Sequence, residues 1–379
     1  MKIYTLTYDK QNGWSEKNFP PVDSNNTLVI VFGSSKFINH AEPIAALRTF
    51  YKHSKLAGCS TAGEIYEDRI TDDSLSVAVI QFEKTEVEVV SESIENPHDS
   101  YVIGKRMAAQ LHKDSLKHVI IFSDGIKVNG TELARSFVET LPGDIQISGG
   151  LAGDGSDFKR TWVIDKDKPV INTISAVGLY GDKLEVNCAS KGGWDIFGPE
   201  RMITKSKGNV VYEIDGEPAL DLYKRYLGDR AQELPASALL FPLSIRKNVN
   251  SEEKVVRTVL AVDEKEKTMT FAGDVPEGWA AQLMRANLDR LIEGAGTASA
   301  AITAETESVK DSIAIAVSCV GRRLVLGERT EEEVEATLNS LPSGTKQIGF
   351  YSYGEIAPDG FQPCTLHNQT MTLTRISEK

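Results

Sequence analysis

The chain has 379 residues, more than one ordinary hydrophobic core holds, so we expect two domains. Its hydrophobic fraction of 41% and charged fraction of 25% are typical of a globular protein in water. The formal net charge of −12 disfavours nucleic acid and anionic membrane surfaces as partners, because both are themselves negative. The longest apolar runs, at 28–32 and 313–317, are too short to cross a bilayer, so we predict no membrane insertion.

The N-terminus and the cysteines predict a cytoplasmic protein. Residues 1–10 lack the long apolar core of a signal peptide. The four cysteines, Cys59, Cys188, Cys319 and Cys364, include no Cys-x-x-Cys pair, which disfavours disulfides and fits a reducing compartment. Cys364 and His367 have the spacing of two metal ligands, but further ligands would have to come from afar, so we predict no metal and no cofactor.

A first repeat unit is predicted over residues 27–82. An uninterrupted apolar run at 27–32 predicts a buried strand, and Asn39 and Pro43 mark the start of a helix. The turn at 58–65, with the sequence GCSTAGEI, follows this helix. Residues 74–82 then alternate as a strand, which completes a strand–helix–turn–strand unit.

The second unit, over residues 117–180, repeats this order. A buried strand at 118–122 and a helix at 131–141 lead to a second glycine–acid turn at 148–154. Strands are predicted near 160–164 and 174–180. Phe32 and Gly63 are 31 residues apart, and so are Phe122 and Gly153, which indicates duplication.

The segment between the second and third units has its own predicted elements. Residues 218–227 predict a helix, 236–245 a strand, and 255–262 with 268–271 a hairpin. Pro276 and Gly278 are predicted to open a long helix that continues through Ile292.

The third unit, over residues 312–376, begins with an apolar strand at 313–319. Thr330 is predicted to cap a helix whose first turn is acidic, and the turn at 349–356, GFYSYGEI, repeats the frame of the first turn. Val317 and Gly354 are 37 residues apart, so this copy carries about six additional residues.

These elements predict an α/β protein of duplicated strand–helix–turn–strand units, with mixed sheets covered by helices. We expect an N-terminal domain at 1–217 with the first two units and a C-terminal domain at 218–379 with the third. Because no low-complexity linker separates them, the two domains are expected to pack tightly.

The chain resembles the FIST family, whose members are intracellular sensory proteins with an N-terminal and a C-terminal FIST module. The resemblance spans nearly the whole chain and is carried by six segments, 58–65, 149–154, 218–228, 318–322, 350–356 and 366–370. It implies a role in signal transduction and binding of small ligands, with amino acids as one proposed class. No output domain is attached, so the resemblance implies a separate signalling partner.

The repeated glycine–acid turns have two interpretations. Glycines such as Gly153 let backbone N–H groups approach an anion, while Glu64, Asp154 and Glu355 have the charge to hold an ammonium group. The alternative is that each glycine takes a positive φ at a strand end and each acid stabilises its turn by hydrogen bonds. A feature present in every copy favours the second interpretation.

Residues present in one copy only are the better ligand-binding candidates. Cys59, Ser60 and Thr61 provide a thiol and two hydroxyls for a pocket, or Cys59 acts as a nucleophile with His40, His53 or the distant His367 as its base. The alternative is a small buried cysteine packed under the turn.

Two further sets come from the C-terminal unit. Tyr351, Tyr353, His367 and Asn368 combine an aromatic wall with an imidazole and an amide, or form satisfied core pairs. Cys319 lies close to Arg322, which either clamps a ligand carboxylate or pairs with an acid of the protein.

We therefore expect a cytosolic sensory protein that binds a small polar ligand, with an amino acid as one candidate. A cysteine-dependent hydrolase or transferase using Cys59 and a protein-binding scaffold are the alternatives.

Overall fold

The structure is a computed structural model that describes residues 1–248, 250–303, 311–360 and 362–379. Its helices, apart from short 3-10 turns, are α1 (Glu42–Phe50), α2 (Ser100–Leu111), α3 (Gly130–Thr140), α4 (Ala219–Leu227), α5 (Leu288–Ala301), α6 (Val320–Leu326) and α7 (Thr330–Asn339).

Strands make up most of the remainder. The strands that begin before residue 190 are β1 (Lys2–Asp9), β2 (Gly13–Trp14), β3 (Thr27–Ser34), β4 (Lys55–Thr61), β5 (Glu64–Tyr66), β6 (Arg69–Thr71), β7 (Ser74–Gln81), β8 (Glu86–Ser93), β9 (Leu116–Ser123), β10 (Gln146–Leu151), β11 (Val163–Asp165), β12 (Lys168–Val170), β13 (Thr173–Tyr180) and β14 (Leu184–Lys191). The later strands are β15 (Asp195–Lys207), β16 (Val210–Ile214), β17 (Glu217–Pro218), β18 (Leu243–Arg246), β19 (Val255–Arg257), β20 (Val259–Asp263), β21 (Thr268–Phe271), β22 (Ala280–Arg285), β23 (Ser312–Cys319), β24 (Lys346–Ser352), β25 (Gly354–Ala357), β26 (Thr365–His367) and β27 (Met371–Glu378).

The three repeat units build three mixed sheets of one design. Each has a parallel pair at its centre, which is β3–β4, β9–β10 or β23–β24, with β7, β13 or β27 antiparallel beside it. The full strand orders are β12-β11-β4-β3-β7-β1-β2, β26-β25-β10-β9-β13-β8 and β14-β27-β23-β24-β5-β6. This arrangement confirms the predicted α/β class with duplicated units and mixed sheets.

The units exchange strands in a ring. After its turn, the first unit adds β5 to β24 of the third, the third adds β25 to β10 of the second, and the second adds β11 to β4 of the first. Three equivalent backbone hydrogen bonds join the turns, from Ala62 N–H to the Tyr351 carbonyl at 2.8 Å, from Tyr353 to Leu151 at 3.0 Å and from Gly153 to Ser60 at 3.0 Å. The three units are therefore related by approximate three-fold symmetry.

The inner faces of the three sheets meet in one apolar core. Phe32 lies 4.6 Å from Phe350 and 5.6 Å from Phe122 between ring centroids. Strand register puts Phe350 at the position of Cys59 and Gly150 in the other units, and Val317 at the position of the other two phenylalanines. A large side chain on one strand is thus offset by a smaller one on its neighbour, which keeps the shared core close-packed.

Helices cover the outer faces. In β3, Val29 and Val31 point toward α1, while Leu28, Ile30 and Phe32 point into the shared core. Because both faces are buried, the strand is a continuous apolar run rather than an alternating one. Helices α2 and α3 cover the second sheet, and α5 and α7 cover the third.

Residues 195–286 form a fourth sheet, in the order β19-β18-β22-β15-β16-β21-β20, with α4 packed against it. Two predictions here were wrong. The strand expected at 236–245 is a 3-10 turn at Ala236–Leu240 followed by β18, and the long helix expected from Pro276 is β22 followed by α5. Ala281 and Leu283 are buried between neighbouring strands, and Asn287 caps α5 by accepting from Arg290 N–H at 3.3 Å.

Strand register also corrects the predicted repeat. Gly58, Gly149 and Gly349 are equivalent, since a Cβ on any of them would lie 1.9 Å from a carbonyl oxygen of the neighbouring strand. Counting from these glycines, Gly153 matches Ala62, and Asp154 matches Gly63 rather than Glu64. The equal spacing of 31 residues conceals a one-residue insertion in the second unit.

The division at 217/218 remains a prediction. Three of the four sheets combine strands from both sides of it, as where β5 pairs with β24, β10 with β25 and β15 with β22. The two halves are therefore tightly packed, as expected. The connection between the buried strand and the covering helix contains α6 in the third unit, whereas the first unit has a 3-10 turn there.

Candidate functional site

Glu64 and Glu355 hold their turns together in the same way. Glu64 accepts from the hydroxyls of Thr61 and Ser74, the latter at 2.7 Å, and from Ser74 N–H at 3.1 Å. Glu355 accepts from the Ser352 hydroxyl at 2.7 Å and from the Thr370 hydroxyl and N–H at 3.0 and 3.2 Å. Burial raises the pKa of each carboxyl to about 8. Their repeated contacts support the structural interpretation of these acids.

Asp154 organises the loop that follows its turn. Its carboxylate accepts N–H bonds from Phe158, Lys159 and Arg160 at 2.7–2.9 Å and a hydrogen bond from the Tyr353 hydroxyl. Phe158 is held at φ +52°, which is unusual for a bulky residue, and stacks on Tyr353 at 4.3 Å between centroids. Asp154 therefore fixes an aromatic pair in place.

The Cys59-Ser60-Thr61 set faces the interior. Cys59 is 0% exposed within the shared core and opposite Val163 in strand register. Ser60 exchanges two hydrogen bonds with the backbone of Trp162, from its N–H to the Trp162 carbonyl and from Trp162 N–H to its hydroxyl, both 2.9 Å. Burial raises the pKa of the Cys59 thiol well above its usual value. This environment favours the packed, unreactive cysteine over the nucleophile.

We expect iodoacetamide to alkylate Cys59 in the folded protein far more slowly than a free thiol at pH 8, because only an accessible thiolate reacts. Peptide mass spectrometry over a time course measures the rate, and protein unfolded in urea is the control, in which Cys59 reacts at the rate of a model thiol. Rapid, selective labelling of Cys59 in the folded state would instead favour the enzyme.

Arg322 forms a buried ion pair and bonds to backbone carbonyls within the protein. Its guanidinium pairs with Glu333 at 2.5 Å, and both side chains are 0% exposed. Nε donates to Glu333, and the other two nitrogens donate to the carbonyls of Gly192, Leu291 and Gln369, so every nitrogen of the guanidinium is hydrogen-bonded. Glu333 also accepts from the Tyr351 hydroxyl at 2.9 Å. Arg322 and Tyr351 therefore belong to a buried network rather than to an open site.

His367 has a backbone partner, the Ala357 carbonyl, 3.2 Å from its Nε2. Burial lowers its pKa to about 4, so the ring is neutral at physiological pH. Within the described residues, no group of three or more His, Cys, Asp or Glu side chains is arranged to hold a metal ion.

Three of the predicted residues, Cys319, Tyr353 and Asn368, line one cavity of about 450 Å³ to which the second unit, the third unit and residues 233–272 all contribute. The remaining lining is mainly apolar and comes from Ser156, Phe158, Glu233, Leu234, Pro235, Ala236, Leu239, Thr258, Val259, Leu260, Ala272, Val320, Gly321 and Leu324. Burial raises the pKa of the Cys319 thiol, so it is protonated at neutral pH.

Asn368 borders this cavity, but its amide is buried. Among the described residues, neither Nδ2 nor Oδ1 has a hydrogen-bond partner, and the same holds for Thr258 Oγ1. These three atoms have almost no accessible surface, so neighbouring protein atoms cover them and they do not face the cavity.

Sequence patterns did not identify Phe158, Thr258 or Leu260 as lining residues. Phe158 reaches the cavity through the loop that Asp154 folds, Leu260 lies in β20 of the fourth sheet, and Thr258 lies between β19 and β20. No motif carried a signal for them, because their proximity to Asn368 depends on tertiary packing. The unusual φ of Phe158 is visible only in the structure.

The fold and the cavity define a class, a duplicated α/β protein with a mainly apolar cavity of small-molecule size. The chain belongs to the FIST family, since the FIST N domain matches residues 27–217 and the FIST C domain matches residues 219–358. FIST domains are associated with sensory functions in signal transduction. Among the described residues, no helix is both long and apolar enough to span a membrane.

One similar protein is the uncharacterized protein MJ1623 of Methanocaldococcus jannaschii, which is 24% identical over 349 residues. The alignment covers 80% of this chain and 64% of the archaeal protein. The chain thus spans somewhat less than two thirds of the length of that relative.

Proposed function

We propose that the protein is a cytosolic sensor that binds a small polar ligand in the Asn368 cavity and passes its occupancy to a separate signalling protein. The single observation that carries the proposal is the cavity itself, which has a volume of about 450 Å³ and includes the predicted residues Cys319, Tyr353 and Asn368 in its lining. An amino acid is one ligand of this kind.

The size and lining of the cavity suit a small molecule. A volume of about 450 Å³ is within the usual range for ligand sites. Apolar side chains such as Leu234, Leu239 and Val320 would exclude water, while the exposed lining residues Ser156 and Glu233 would supply polar contacts to the ligand. This combination of many apolar contacts with few directional polar ones is typical of small-molecule recognition.

Ligand occupancy would be transmitted because the cavity joins three parts of the chain. Phe158 belongs to the second unit, Asn368 to the third, and Leu260 to the fourth sheet. A ligand that contacts all three stabilises one relative arrangement, and its differential affinity sets the size of the response. Tyr353 links the cavity to the ring of turns through its backbone bond to Leu151. A partner protein that contacts two of these parts would bind differently when their relative arrangement changes.

Thermal-shift screening of the full chain against amino acids and small metabolites tests the proposal. A ligand at a hundredfold excess over its Kd adds about 2.7 kcal/mol of stability and raises the melting temperature. Ala272→Phe fills the cavity from its wall and should abolish the shift.

The contrary result is a screen without any stabilising compound, together with native mass spectrometry of freshly purified protein in which nothing is bound. That outcome would favour the protein-binding scaffold. A rise in melting temperature that persists in Ala272→Phe would mean that the ligand binds at another site.

A further inference from the structure

We infer that an apolar groove formed by Phe158, Leu260 and Leu324 is the docking surface for a signalling partner, which binds there through an apolar segment flanked by lysine or arginine. The inference rests on the proposed function for the existence of that partner, but it does not depend on a ligand in the cavity. Three observations carry it, the exposed apolar side chains, the elements that present them and the unpaired acids beside them.

The three side chains of the apolar groove line the Asn368 cavity and are also open to solvent. Phe158, Leu260 and Leu324 are 47%, 45% and 48% exposed. Leu324 also lines a second cavity of about 500 Å³, which shares Ser156 and Val320 with the first, so the apolar surface continues from one cavity to the other. Large apolar side chains gathered at one concave surface are typical of a protein-binding site, whereas single exposed ones are common on any protein.

Each of the three side chains comes from an element outside the repeated plan. A turn alone separates β4 from β5 and β24 from β25, whereas residues 152–162 separate β10 from β11 in the second unit and carry Phe158. Helix α6, which carries Leu324, has no α-helical counterpart in the described residues of the other two units, and β20 with Leu260 belongs to the fourth sheet. The symmetric ring does not require these elements, so their convergence on one groove indicates a role beyond folding.

The exposed ring of Phe158 is held in a fixed position. Its backbone φ of +52° is unfavourable for a bulky residue, and Asp154 maintains it by accepting from Phe158 N–H at 2.9 Å. Tyr353 covers one face of the ring, with 13° between the two planes. Residues kept in an unfavourable conformation are concentrated at binding sites. An immobilised aromatic side chain also loses little entropy when a partner covers it, which favours binding.

Unpaired acids border the apolar groove. Among the described residues, Glu233 in the lining of the first cavity and Glu328 and Glu331 in that of the second are exposed and form no ion pair. Arg323 is the one basic residue in the described lining of both cavities, and Asp72 engages it through both carboxylate oxygens at 2.7 and 2.8 Å. Lysine or arginine beside the apolar anchors of a partner would therefore meet opposite charge, whereas an anionic membrane would be repelled.

Phage display of random peptides on the immobilised full chain, with counter-selection on the Leu324→Ser variant, tests the inference. The enriched peptides are expected to combine large apolar residues with lysine or arginine. Two variants that take no part in the selection, Leu260→Ser and Phe158→Gly, should each raise the Kd of a labelled enriched peptide about tenfold or more, because a few central apolar anchors dominate such binding. Glycine accepts the positive φ of residue 158, so this variant loses only the ring. Fluorescence anisotropy measures the Kd.

A charge variant and a matched control accompany this measurement. The double variant Glu328→Gln with Glu331→Gln should raise the Kd several-fold, and a rise in salt from about 50 to about 500 mM should weaken binding to the parent more than binding to this variant. Ile171→Ser makes a comparable change at a residue that is 45% exposed and lies outside both cavities, so it should leave the Kd unaltered.

A selection that enriches no peptide would overturn the inference, and so would enriched peptides that are acidic or that bind Leu260→Ser and Phe158→Gly as tightly as the parent. A dimer in sedimentation velocity that Leu324→Ser dissociates would also overturn it, because the groove would then bind a second copy of the chain. None of these measurements uses a small ligand. A compound that stabilises the chain in the thermal-shift screen would therefore still support ligand binding after the peptide selection had failed.

Discussion

Replacing Arg322 with methionine is expected to lower the apparent free energy of unfolding by about 3–5 kcal/mol, because the change leaves the Glu333 carboxylate buried without its counter-charge. Arg322 also joins α7 to the carbonyls of Gly192, Leu291 and Gln369. Each of these carbonyls would lose a charged donor in a site that water does not reach. Urea unfolding followed by circular dichroism at pH 7 measures the loss.

Two control variants separate the buried pair from general damage. The double variant Arg322→Met with Glu333→Leu removes both charges and should lose much less than the sum of the two single losses. Arg329→Met breaks the exposed pairs with Glu332 and Asp289 and should change stability only slightly. A small loss in Arg322→Met would mean that water enters the site, which would reopen the interpretation of Arg322 as a ligand group.

The sequence predicts the repeated core of the fold well, because that part depends on local patterns. The apolar runs at 27–32, 118–122 and 313–319 become β3, β9 and β23, each covered on both faces. The elements of the segment 236–292 are predicted less well. Ala281 and Leu283 fit either a helical or an extended period, and pairing with β18 and β15 decides between them.

The candidate site depends on contacts that no local pattern encodes. Choosing residues that occur in one copy only led to Cys319, Tyr353 and Asn368, which do line the cavity. The same choice included Cys59, which packs in the shared core, and Arg322, which pairs with the buried Glu333 carboxylate. A sequence shows that a residue is distinctive, but the partner that uses it is set by packing between distant segments.

The two repeated glutamates are expected to make the protein less stable as the pH rises from about 6.5 to 8. Burial raises the pKa of Glu64 and Glu355 to about 8, whereas an unfolded chain has released both protons near pH 4.5. Between these values the folded state binds more protons than the unfolded state, so the free energy of unfolding falls with pH. Between pH 6.5 and 8, each group lowers the free energy of unfolding by about 2 kcal/mol.

Below pH 6.5 two histidines oppose this trend. Burial lowers the pKa of His118 to about 3 and that of His367 to about 4, both below the usual 6.5. From about pH 4.5 to 6.5 the unfolded state binds the additional histidine protons, which makes stability rise with pH and offsets the glutamates. The decline is therefore expected to become visible only above pH 6.5.

Urea midpoints at pH 5, 6, 7 and 8 measure this profile, and glutamine variants assign it. Glu64→Gln and Glu355→Gln mimic the protonated acid, so each should remove about half of the decline above pH 6.5 and make the protein more stable than the parent at pH 8. Glu331→Gln changes an exposed residue and should leave the slope unaltered. A parent profile that rises or stays flat between pH 6.5 and 8 would mean that the turns hold ionised carboxylates, since their three hydrogen-bond donors would then outweigh burial.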